Sequence, residues 1–498
     1  MRKLLVFIAL LLFLALMGYV AYNFSQSERF GDETAHFIGG HFILQGKRIY
    51  QDLQFNHQPL PYFFSTISEF IANPKNLYLF IARQRETVFV YAAVWNVLYY
   101  FAFGPIFFLF TVLFEIIKYF FQGYKVLNET IAVYPLVYMF GVVVDTFLFK
   151  KKTSRLSLIL FSVASFVVTF SLLPLWIVVV LFYGMLLYSL RKNPRSWKYA
   201  LLPFFVLTVI LSYFVSFPHL LKETVINNFV YFLPNSGGKI SFLRMILLPF
   251  ASFFPPYPPQ KILIAVLMVF SILSCVSAFK KRLLSKYALV LLTIALTNFF
   301  RVDDYSFSNF HLLPWLGALM AVEMFWIKTA KLKIILVSIL VVFLFVANGP
   351  RLFSKKNLAT EYFINYSESE SYGNAMRIMK HPRDRMLALP NDTLVYWVAE
   401  MDIPTHVLEY YPWIYHIPEY RDELITLFKK NPPEFVINTG LDPIHKEEEY
   451  ILSILETQYQ NLYHTGSPSR LYVLKKRLNT ISDEQWLKLK EMLYSKSL

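Results

Sequence analysis

The segment from residue 30 to residue 64 decides how this chain folds. It contains three polar-rich pieces, Phe30-Gly-Asp32-Glu33-Thr-Ala-His36, Gly46-Lys-Arg-Ile-Tyr50-Gln-Asp52 and Asn56-His57-Gln-Pro-Leu-Pro-Tyr62. It follows directly on the first apolar run, and it is the longest polar-rich stretch in the first two thirds of the chain. Two adjacent carboxylates, Asp32 and Glu33, therefore lie shortly beyond an apolar helix, where we expect them close to a lipid surface.

The composition is that of a membrane protein with several spans. Of 498 residues, 56% are hydrophobic and 16% are charged, and the mean hydropathy is +0.45. Soluble proteins have a larger charged share. The net charge of +15 does not indicate nucleic acid, because the basic residues stand in short clusters between apolar runs, as in cytoplasmic loops. The single cysteine, Cys275, lies in an apolar run and excludes a disulfide framework.

The N-terminus predicts an uncleaved signal anchor. Arg2 and Lys3 precede an apolar run that is long enough to span and lacks a cleavage site of small residues. A basic N-terminus predicts a cytoplasmic start, so the first loop, residues 24–87, faces outside and carries short juxtamembrane helices. We predict about eleven spans, namely Leu4–Asn23, two within Val88–Phe121, then Ile131–Phe149, Leu156–Leu173, Leu175–Leu190, Tyr199–Phe217, Ile262–Phe279, Tyr287–Phe300, His311–Ile327 and Ile334–Ala347.

The run from residue 88 to residue 121 is either one long tilted helix or two helices that turn at Gly104-Pro105. Orientation decides between these interpretations. With two helices the later basic clusters fall on the cytoplasmic side, whereas with one helix they fall outside, against the positive-inside rule. We therefore predict a hairpin. The clusters are Lys150, Lys151, Lys152 and Arg155, then Arg191, Lys192, Arg195 and Lys198, then Lys280, Lys281, Arg282 and Lys286, then Lys328, Lys331 and Lys333.

Two further regions lie outside in this topology. A second external loop, residues 218–261, contains a short apolar piece, Phe242 to Phe254, that we expect to lie along or re-enter the membrane. After Asn348 the composition becomes that of a soluble domain, and we predict an external α/β domain at residues 349–498 behind a transmembrane domain at residues 1–348. The predicted β-like runs are Met386–Leu389, Phe435–Asn438 and Arg470–Leu474.

The two adjacent acids allow a structural and a chemical interpretation. Asp32 stands before Thr34-Ala35-His36 as a helix N-cap would, and capping alone would explain it. It also stands where a membrane-bound substrate presents its headgroup, as a general base would. Three acids lie near span ends, and we expect each to pair with a nearby lysine at the membrane interface, namely Asp145 with Lys150, Glu115 with Lys118 and Glu323 with Lys328.

The first loop resembles that of the GT-C superfamily of membrane glycosyltransferases. The similarity rests on Asp32-Glu33 after the first span, Gly46-Lys-x-x-Tyr50-x-Asp52 and His57-x-Pro-Leu-x-Tyr62. The bacterial protein O-mannosyltransferase-like and aminoarabinose-transferase-like branch is the most similar. In outline the likeness covers the whole chain, since the pieces Phe310-His311-Leu-Leu-Pro314, Tyr411-Pro-Trp413 and Pro432-Pro-Glu-Phe-Val-Ile437 are also similar to bacterial members.

The resemblance implies a catalytic GT-C transmembrane domain, a polyprenyl-phosphate-linked sugar as donor, and inversion at the anomeric carbon. The acceptor would be a hydroxyl group on a lipid, a glycan or a protein. Asp32 matches the essential loop aspartate of that family and Glu33 its acidic neighbour. Asp32 would then take the proton of the acceptor hydroxyl, as a carboxylate of ordinary pKa.

The phosphate that leaves needs cations, and the two-pronged guanidinium of arginine suits it. The candidates are Arg83, Arg85, Lys239, Arg244, Arg301 and His311. Each of these residues has an alternative interpretation, as an anchor of its helix at the membrane interface. Four residues are candidates for shaping the loop or contacting the acceptor, namely His36, Asp52, His57 and Tyr62.

Two alternatives stay open. Asp32 with His36 one turn later, together with His41 or His57, has a spacing that fits a divalent-metal site, although the resemblance requires neither a metal nor another cofactor. A transporter or flippase of lipid-linked saccharides would place charged or broken-helix features at the midplane of several spans. A polymerase would share the donor chemistry. Under each of these hypotheses the protein lies in the cell (inner or plasma) membrane, and membrane lipids are among its partners.

Overall fold

The computed structural model describes residues 2–25, 27–235, 258–298, 309–327, 331–442, 445–464 and 467–494. Within these ranges the chain forms a helical bundle followed by a small sheet surrounded by helices. The helices up to residue 235 are α1 (Arg2–Phe24), α2 (Gly31–Leu44), α3 (Leu60–Ala72), α4 (Leu77–Phe103), α5 (Phe107–Ile117), α6 (Asn128–Val143), α7 (Arg155–Ser171), α8 (Trp176–Ser189), α9 (Trp197–Phe214) and α10 (Phe217–Leu221).

The later helices alternate with four strands. They are α11 (Pro258–Lys280), α12 (Leu284–Ala295), α13 (Leu313–Ile327), α14 (Lys331–Phe353), α15 (Leu358–Met379), α16 (Leu394–Ala399), α17 (Pro418–Lys430), α18 (Lys446–Gln458), α19 (Lys475–Leu478) and α20 (Asp483–Tyr494). The strands are β1 (Met386–Leu389), β2 (Phe435–Asn438), β3 (Tyr459–His464) and β4 (Ser467–Leu474).

Helices α1 and α4 lie side by side and run in opposite directions. The hydroxyl group of Tyr100 donates a hydrogen bond to the carbonyl of Lys3 at one end of the pair. At the other end, the side chain of Arg85 donates to the carbonyl of Ser25. The bundle therefore has one face that carries the N-terminus and an opposite face that carries the first loop, which we call the loop face.

A tight turn separates α4 from α5. Gly104 ends α4 with a φ of +91°, a conformation that favours glycine, and α5 begins at Phe107. The amide of Asn96 donates to the carboxylate of Glu115 at 2.8 Å, so the two helices run antiparallel. The hairpin predicted at Gly104-Pro105 is confirmed.

The described helices make this a multi-pass membrane protein. Four are long and apolar enough to cross a membrane, namely Lys3–Phe24, Leu77–Phe103, Asn128–Leu148 and Pro194–Phe214. The pair Val337–Phe353 and Leu358–Met379, bent by 66°, is a further candidate. Shorter apolar helices lie at Arg155–Ser171, Leu173–Ser189, Ala265–Lys280, Leu284–Asn298 and Phe310–Trp326. These helices follow one another along the chain in the order of the predicted spans. The number of eleven spans and the cytoplasmic position of the N-terminus stay predictions.

Helices α2 and α3 form a closely packed pair on the loop face. Their contact depends on Gly40, because a Cβ there would lie 2.8 Å from the Cβ of Ser65. A Cβ on Gly39 would likewise lie 2.5 Å from the ring of Tyr62. The predicted juxtamembrane helices are therefore present, and the pair holds the start of α2 against the bundle.

The C-terminal sheet has the strand order β1-β2-β4-β3. Strands β1 and β2 are parallel, with Leu387 opposite Val436, whereas β2 and β4 are antiparallel, with Val436 opposite Tyr472. Strands β3 and β4 form an antiparallel hairpin. The runs predicted at Met386–Leu389 and Phe435–Asn438 are strands with those bounds, the third is the end of β4, and β3 was not predicted.

The C-terminal region is tied to the first loop at several points. The backbone N–H of Gln54 donates to the carbonyl of His406 at 2.6 Å, which joins the two parts by a short β-bridge. The side chain of Arg29 donates to the carboxylate of Asp392 at 2.5 Å. Polar contacts therefore join the first loop and the C-terminal region at two separate points.

The predicted pair of Glu115 with Lys118 is present but buried rather than interfacial, and Glu323 is buried as well. The side chains of Glu115 and Lys118 form an ion pair at 2.5 Å, and both are only 1% exposed. Glu323 is fully buried and accepts hydrogen bonds from Ser274 at 2.7 Å and from Tyr287 at 2.8 Å. Side chains of other helices supply further partners for both carboxylates, namely Asn96 for Glu115 and Ser274 and Tyr287 for Glu323, and such partners offset the cost of burying a charge.

Candidate active site

Glu33 and Arg85 form a buried ion pair between α2 and α4. Arg85 Nη2 lies 2.6 Å and Nε 3.0 Å from the Glu33 carboxylate oxygens, so the contact is two-pronged. The side chains are 0% and 2% exposed. Glu33 also accepts a hydrogen bond from the backbone N–H of Val126 at 3.0 Å. This carboxylate is fully occupied by the protein itself.

Arg85 also fixes the segment that leaves the first helix. Its guanidinium donates to the carbonyls of Ser25 at 3.2 Å, of Ser27, and of Glu28 at 2.8 Å. Together with the bonds to Glu33, these contacts use all three nitrogen atoms of the guanidinium group as donors. Arg85 was expected as a cation for a phosphate, but the geometry makes it an internal anchor of the first loop.

Asp32 faces a different environment from its neighbour. Successive residues of a helix are rotated by about 100°, so the carboxylates of Asp32 and Glu33 point in different directions. Asp32 lies close enough to Glu129, at the start of α6, and to Glu409 and Tyr411, in the C-terminal region, for their charges to affect one another. It therefore stands between the bundle and the C-terminal region.

Asp32 does not cap its helix. Helix α2 begins at Gly31, so the N-cap position belongs to Phe30, and no side chain that the structure describes caps it. Asp32 lies in the first turn instead, where a carboxylate interacts favourably with the helix dipole. The capping interpretation is therefore wrong, and the position of Asp32 needs another explanation.

The environment makes Asp32 a stronger base than an ordinary aspartate. Burial, and after it the charge of Glu129, raises the pKa of Asp32 from 3.8 to about 6. The expectation of an ordinary pKa was wrong, because the sequence does not show how the C-terminal region covers this loop. A carboxylate with a pKa near 6 is still mostly ionised at neutral pH and binds a proton more readily.

Glu129 and His311 form a second polar pair beside Asp32. His311 Nδ1 lies 2.9 Å from the Glu129 carboxylate, and both side chains are largely buried. His311 was expected as a phosphate contact, and here it bonds to an acid. Sequence reasoning missed Glu129, although an acid two residues before a predicted span was a usable signal.

Glu409 reaches the same place from the C-terminal region. Its side chain hydrogen-bonds with Tyr411, and burial followed by the charge of Asp32 raises the pKa of Glu409 to about 8. Glu409 is therefore mostly protonated at neutral pH, while Asp32 is mostly ionised. Nothing in the sequence signals this residue, because it lies 377 positions from Asp32 in the sequence.

His36 and Tyr62 pack inside the first loop. His36 Nδ1 lies 2.9 Å from the carbonyl of Val126, and its ring contacts that of Tyr62 with centroids 4.9 Å apart. Burial lowers the pKa of His36 to about 4, so the ring is neutral at physiological pH. The geometry favours a loop-shaping role for His36.

Asp52 and His57 lie in the turns between α2 and α3. The carboxylate of Asp52 accepts a hydrogen bond from the backbone N–H of Arg48 at 2.8 Å. The hydroxyl group of Tyr50 donates to the carbonyl of His57 at 2.6 Å. These contacts hold the connection that leads from α2 to α3, and they favour a shaping role for both residues.

The predicted phosphate contacts are only partly described. Arg83 is half-exposed and pairs with Glu86 one turn later, on the surface of α4. Three other candidates lie outside the described residues, namely Lys239, Arg244 and Arg301. Among the residues that the structure describes, Arg83 and Arg85 both have carboxylate partners.

Lys125 is a cation that sequence reasoning missed. Its side chain is 1% exposed, with the ammonium group 3.7 Å from the carboxylate of Glu28 and 5.0 Å from the ring centre of Phe30. Burial, and then the charge of Arg85, lowers the pKa of Lys125 to about 8. Lysines concentrate in cytoplasmic loops, so a lysine on the predicted outer face is unusual. That unusual position was the signal in the sequence that could have identified Lys125.

A cleft opens beside Asp32 between the first loop and the C-terminal region. Helix α2 contributes to one wall one turn after Asp32, and the segment around Glu409 forms the other. The lining residues are Ala35, Gln54, Phe55, Asn56 and Tyr62 from the first part and Leu408, Glu409, Tyr411, Trp413 and Ile414 from the second. Within the described ranges, no group of three or more His, Cys, Asp or Glu side chains is placed to hold a metal ion.

The overall fold is of the GT-C type, as the resemblance in the first loop predicted. The sequence matches no protein-family model and no curated protein. The fold is similar to a crystal structure of ArnT from Cupriavidus metallidurans in the apo state, with a TM-score of 0.54 and 10% identity over 93% of this chain and 97% of that chain. ArnT is an aminoarabinose transferase of the GT-C superfamily.

A second crystal structure of the same ArnT, bound to undecaprenyl phosphate, is similar to the same extent. Its TM-score is 0.53, with 11% identity over 93% of this chain and 97% of that chain. At this level of identity the similarity shows the fold alone. The likeness extends over nearly the whole of both chains and so includes the first loop and the C-terminal region.

Proposed function

We propose that this protein is an inverting glycosyltransferase that moves a sugar from a polyprenyl-phosphate donor to a hydroxyl group of an acceptor. The observation that carries the proposal is the position of Asp32, a partly buried carboxylate of raised pKa between α6 and a cleft. Its setting in a GT-C fold, and the undecaprenyl phosphate bound by ArnT, support a lipid-phosphate donor.

Asp32 acts as the general base in this reaction. It accepts the proton of the acceptor hydroxyl while the oxygen attacks C1 of the sugar. The bond from C1 to the phosphate oxygen breaks on the opposite side, its electrons leave with the polyprenyl phosphate, and the configuration at C1 inverts. Positioned acid–base groups typically contribute about 10²- to 10⁴-fold to a rate.

Glu33 is a positioning residue in this proposal. Its bonds to Arg85 and to the N–H of Val126 join α2, α4 and the segment before α6. Asp32 is the next residue along the chain, so this junction fixes where its backbone lies. Glu33 thus contributes to the site without meeting the substrate.

Lys125 is the described cation best placed for the leaving phosphate. It lies against Phe30, two residues before Asp32. Its ammonium group is attracted to a phosphate in the low-dielectric surroundings of the loop. Lys239, Arg244 and Arg301 stay candidates for the same role from the two segments that the structure does not describe.

The reaction is proposed to take place on the outer face of the cell (inner or plasma) membrane, with a cytoplasmic N-terminus and an external C-terminal region. The acceptor is a lipid, a glycan or a protein that bears a hydroxyl group. The chemistry needs no metal or redox cofactor, because the phosphate is already a good leaving group and the base is a carboxylate.

A radiolabelled lipid-linked sugar fraction tests the proposal directly. Reconstituted protein that is a transferase converts the label into a new glycoside and releases polyprenyl phosphate. A flippase would move the labelled lipid across the bilayer without consuming it. A polymerase would produce a ladder of longer lipid-linked chains, so the products separate the three hypotheses.

A further inference from the structure

Two buried polar atoms in the cleft lack hydrogen-bond partners. They are Gln54 Nε2, on the first loop, and Glu409 Oε1, on the C-terminal region, and neither has a partner among the residues that the structure describes. Gln54 is only 6% exposed, and both residues line the cleft. Buried polar atoms in folded proteins are almost always hydrogen-bonded, so these two atoms need a partner that the protein does not supply, either a water molecule or a ligand that replaces it.

Other contacts surround these two residues. The backbone of Gln54 donates to the carbonyl of His406 at 2.6 Å, three residues before Glu409. The Glu409 side chain hydrogen-bonds with Tyr411. These contacts join the first loop to the C-terminal region beside the two polar atoms.

The rest of the cleft is aromatic. Phe55 and Tyr62 pack with ring centroids 4.1 Å apart on the side of the first loop, and Tyr411 and Trp413 line the other side. Pockets with mostly apolar and aromatic walls and a few placed polar groups are typical of small-molecule sites. A sugar ring suits these walls, because it combines a C–H face that packs on aromatic rings with hydroxyl groups that both donate and accept.

We propose that this cleft binds a sugar ring of the acceptor. One ring hydroxyl accepts a hydrogen bond from Gln54 Nε2, and another hydrogen-bonds with Glu409 Oε1. The assignment to the acceptor rests on the proposed function, because the attacking hydroxyl must lie beside Asp32 and the cleft adjoins Asp32 through Glu409. The acceptor is therefore a glycan or a glycosylated molecule.

Binding requires the cleft to widen. It encloses about 20 Å³, which is the space of a single water molecule. The turn at Pro412–His416 carries Trp413, and its outward movement would admit a ring. Side-chain and loop movements of this kind are common when ligands bind.

Saturation-transfer NMR on the full chain in lipid nanodiscs tests the proposal. The probes are methyl pentosides and methyl hexosides, with cyclohexyl methyl ether as a probe that has no hydroxyl group. The variants Gln54→Leu and Glu409→Met each remove one unpaired atom at nearly constant volume. Glu400→Met, at an exposed carboxylate that pairs with Arg377, is the control, and the melting temperature of each variant checks its fold.

The expected result is saturation of the ring protons of at least one glycoside by the wild-type protein and by Glu400→Met. In the two cleft variants the affinity should fall about tenfold, as for the loss of a buried hydrogen bond. Equal saturation in cleft variants that fold normally, or no ring saturation by the wild-type protein, would overturn the proposal. Asp32→Asn should still bind the glycoside, so a failure of the proposed catalysis is distinguishable from a failure of this site.

Discussion

Glu33 and Arg85 are joined by a buried ion pair of 2.6 Å, whereas the neighbouring carboxylate of Asp32 lies near the acids Glu129 and Glu409. Two adjacent acids that look equivalent in the sequence thus have different electrostatic surroundings in the structure. One has all its charge compensated by the protein, and the other lies next to two further carboxyl groups. This contrast separates a positioning residue from the proposed base.

Breaking the buried ion pair should destabilise the protein. Glu33→Gln leaves the Arg85 charge buried without its partner, which typically costs about 3–5 kcal/mol. The melting temperature of the purified protein in detergent should therefore fall clearly. The matched control is Asp52→Asn, which removes a partner of the exposed Arg48 and should cost about 0–1 kcal/mol.

The double variant Glu33→Leu with Arg85→Met sharpens this test. It replaces both charges by apolar groups and should recover part of the lost stability. Equal melting temperatures for Glu33→Gln and the wild-type protein would contradict the anchoring role of this pair.

The transfer rate should depend on pH through Asp32. The base works deprotonated, and its pKa is raised to about 6, so kcat/KM should fall about tenfold per pH unit below that value and level off above it. Glu129→Gln removes the second cause of the raised pKa and should move the midpoint to lower pH. A profile with its midpoint near pH 4, the value of an ordinary aspartate, would contradict this assignment.

Lys125→Met should weaken donor binding. Loss of a cation that faces a phosphate is expected to raise the half-saturating donor concentration about tenfold or more, with a smaller effect on turnover of bound donor. Lys47→Met, which removes a partially exposed lysine paired with Asp402, is the control. Equal donor saturation in both variants would exclude Lys125 as a phosphate contact.

Cysteine labelling tests the orientation. In a Cys275→Ala background, Glu484→Cys on α20 should react with an impermeant thiol reagent on intact cells. Asn193→Cys, in the connection between α8 and α9 on the opposite face, should react only after permeabilisation. The reverse pattern would place the loop face in the cytoplasm.

Local sequence signals predicted much of the fold. The hairpin at Gly104-Pro105 followed from the charge distribution, and the strands at Met386–Leu389 and Phe435–Asn438 followed from short apolar runs between turn residues. Strand β3 was missed because Tyr459–His464 carries mixed polar residues and directly continues a helix. Backbone pairing with β4 stabilises β3 as a strand, although its residue composition does not favour one.

The candidate site was only partly predictable. Asp32 and Glu33 stood out in the sequence as acids next to an apolar span, but their different surroundings depend on Arg85 and on Glu409, which are distant in sequence. Those contacts arise only when α4 and the C-terminal region pack against the first loop. Lys125 was missed because it lies in a short connection between helices, and Glu129 because it lies in the first turn of a helix. Charged residues are common at both kinds of position and need no functional explanation there.

The most direct test of the central claim is sugar transfer by Asp32→Asn. The variant keeps the shape of the side chain and removes the base, so transfer from a labelled polyprenyl-phosphate sugar should fall about 100-fold or more. The melting temperature should be no lower than that of the wild-type protein, because the substitution replaces a carboxylate whose charge the fold disfavours. Transfer at close to the wild-type rate by a normally folded Asp32→Asn protein would contradict the account.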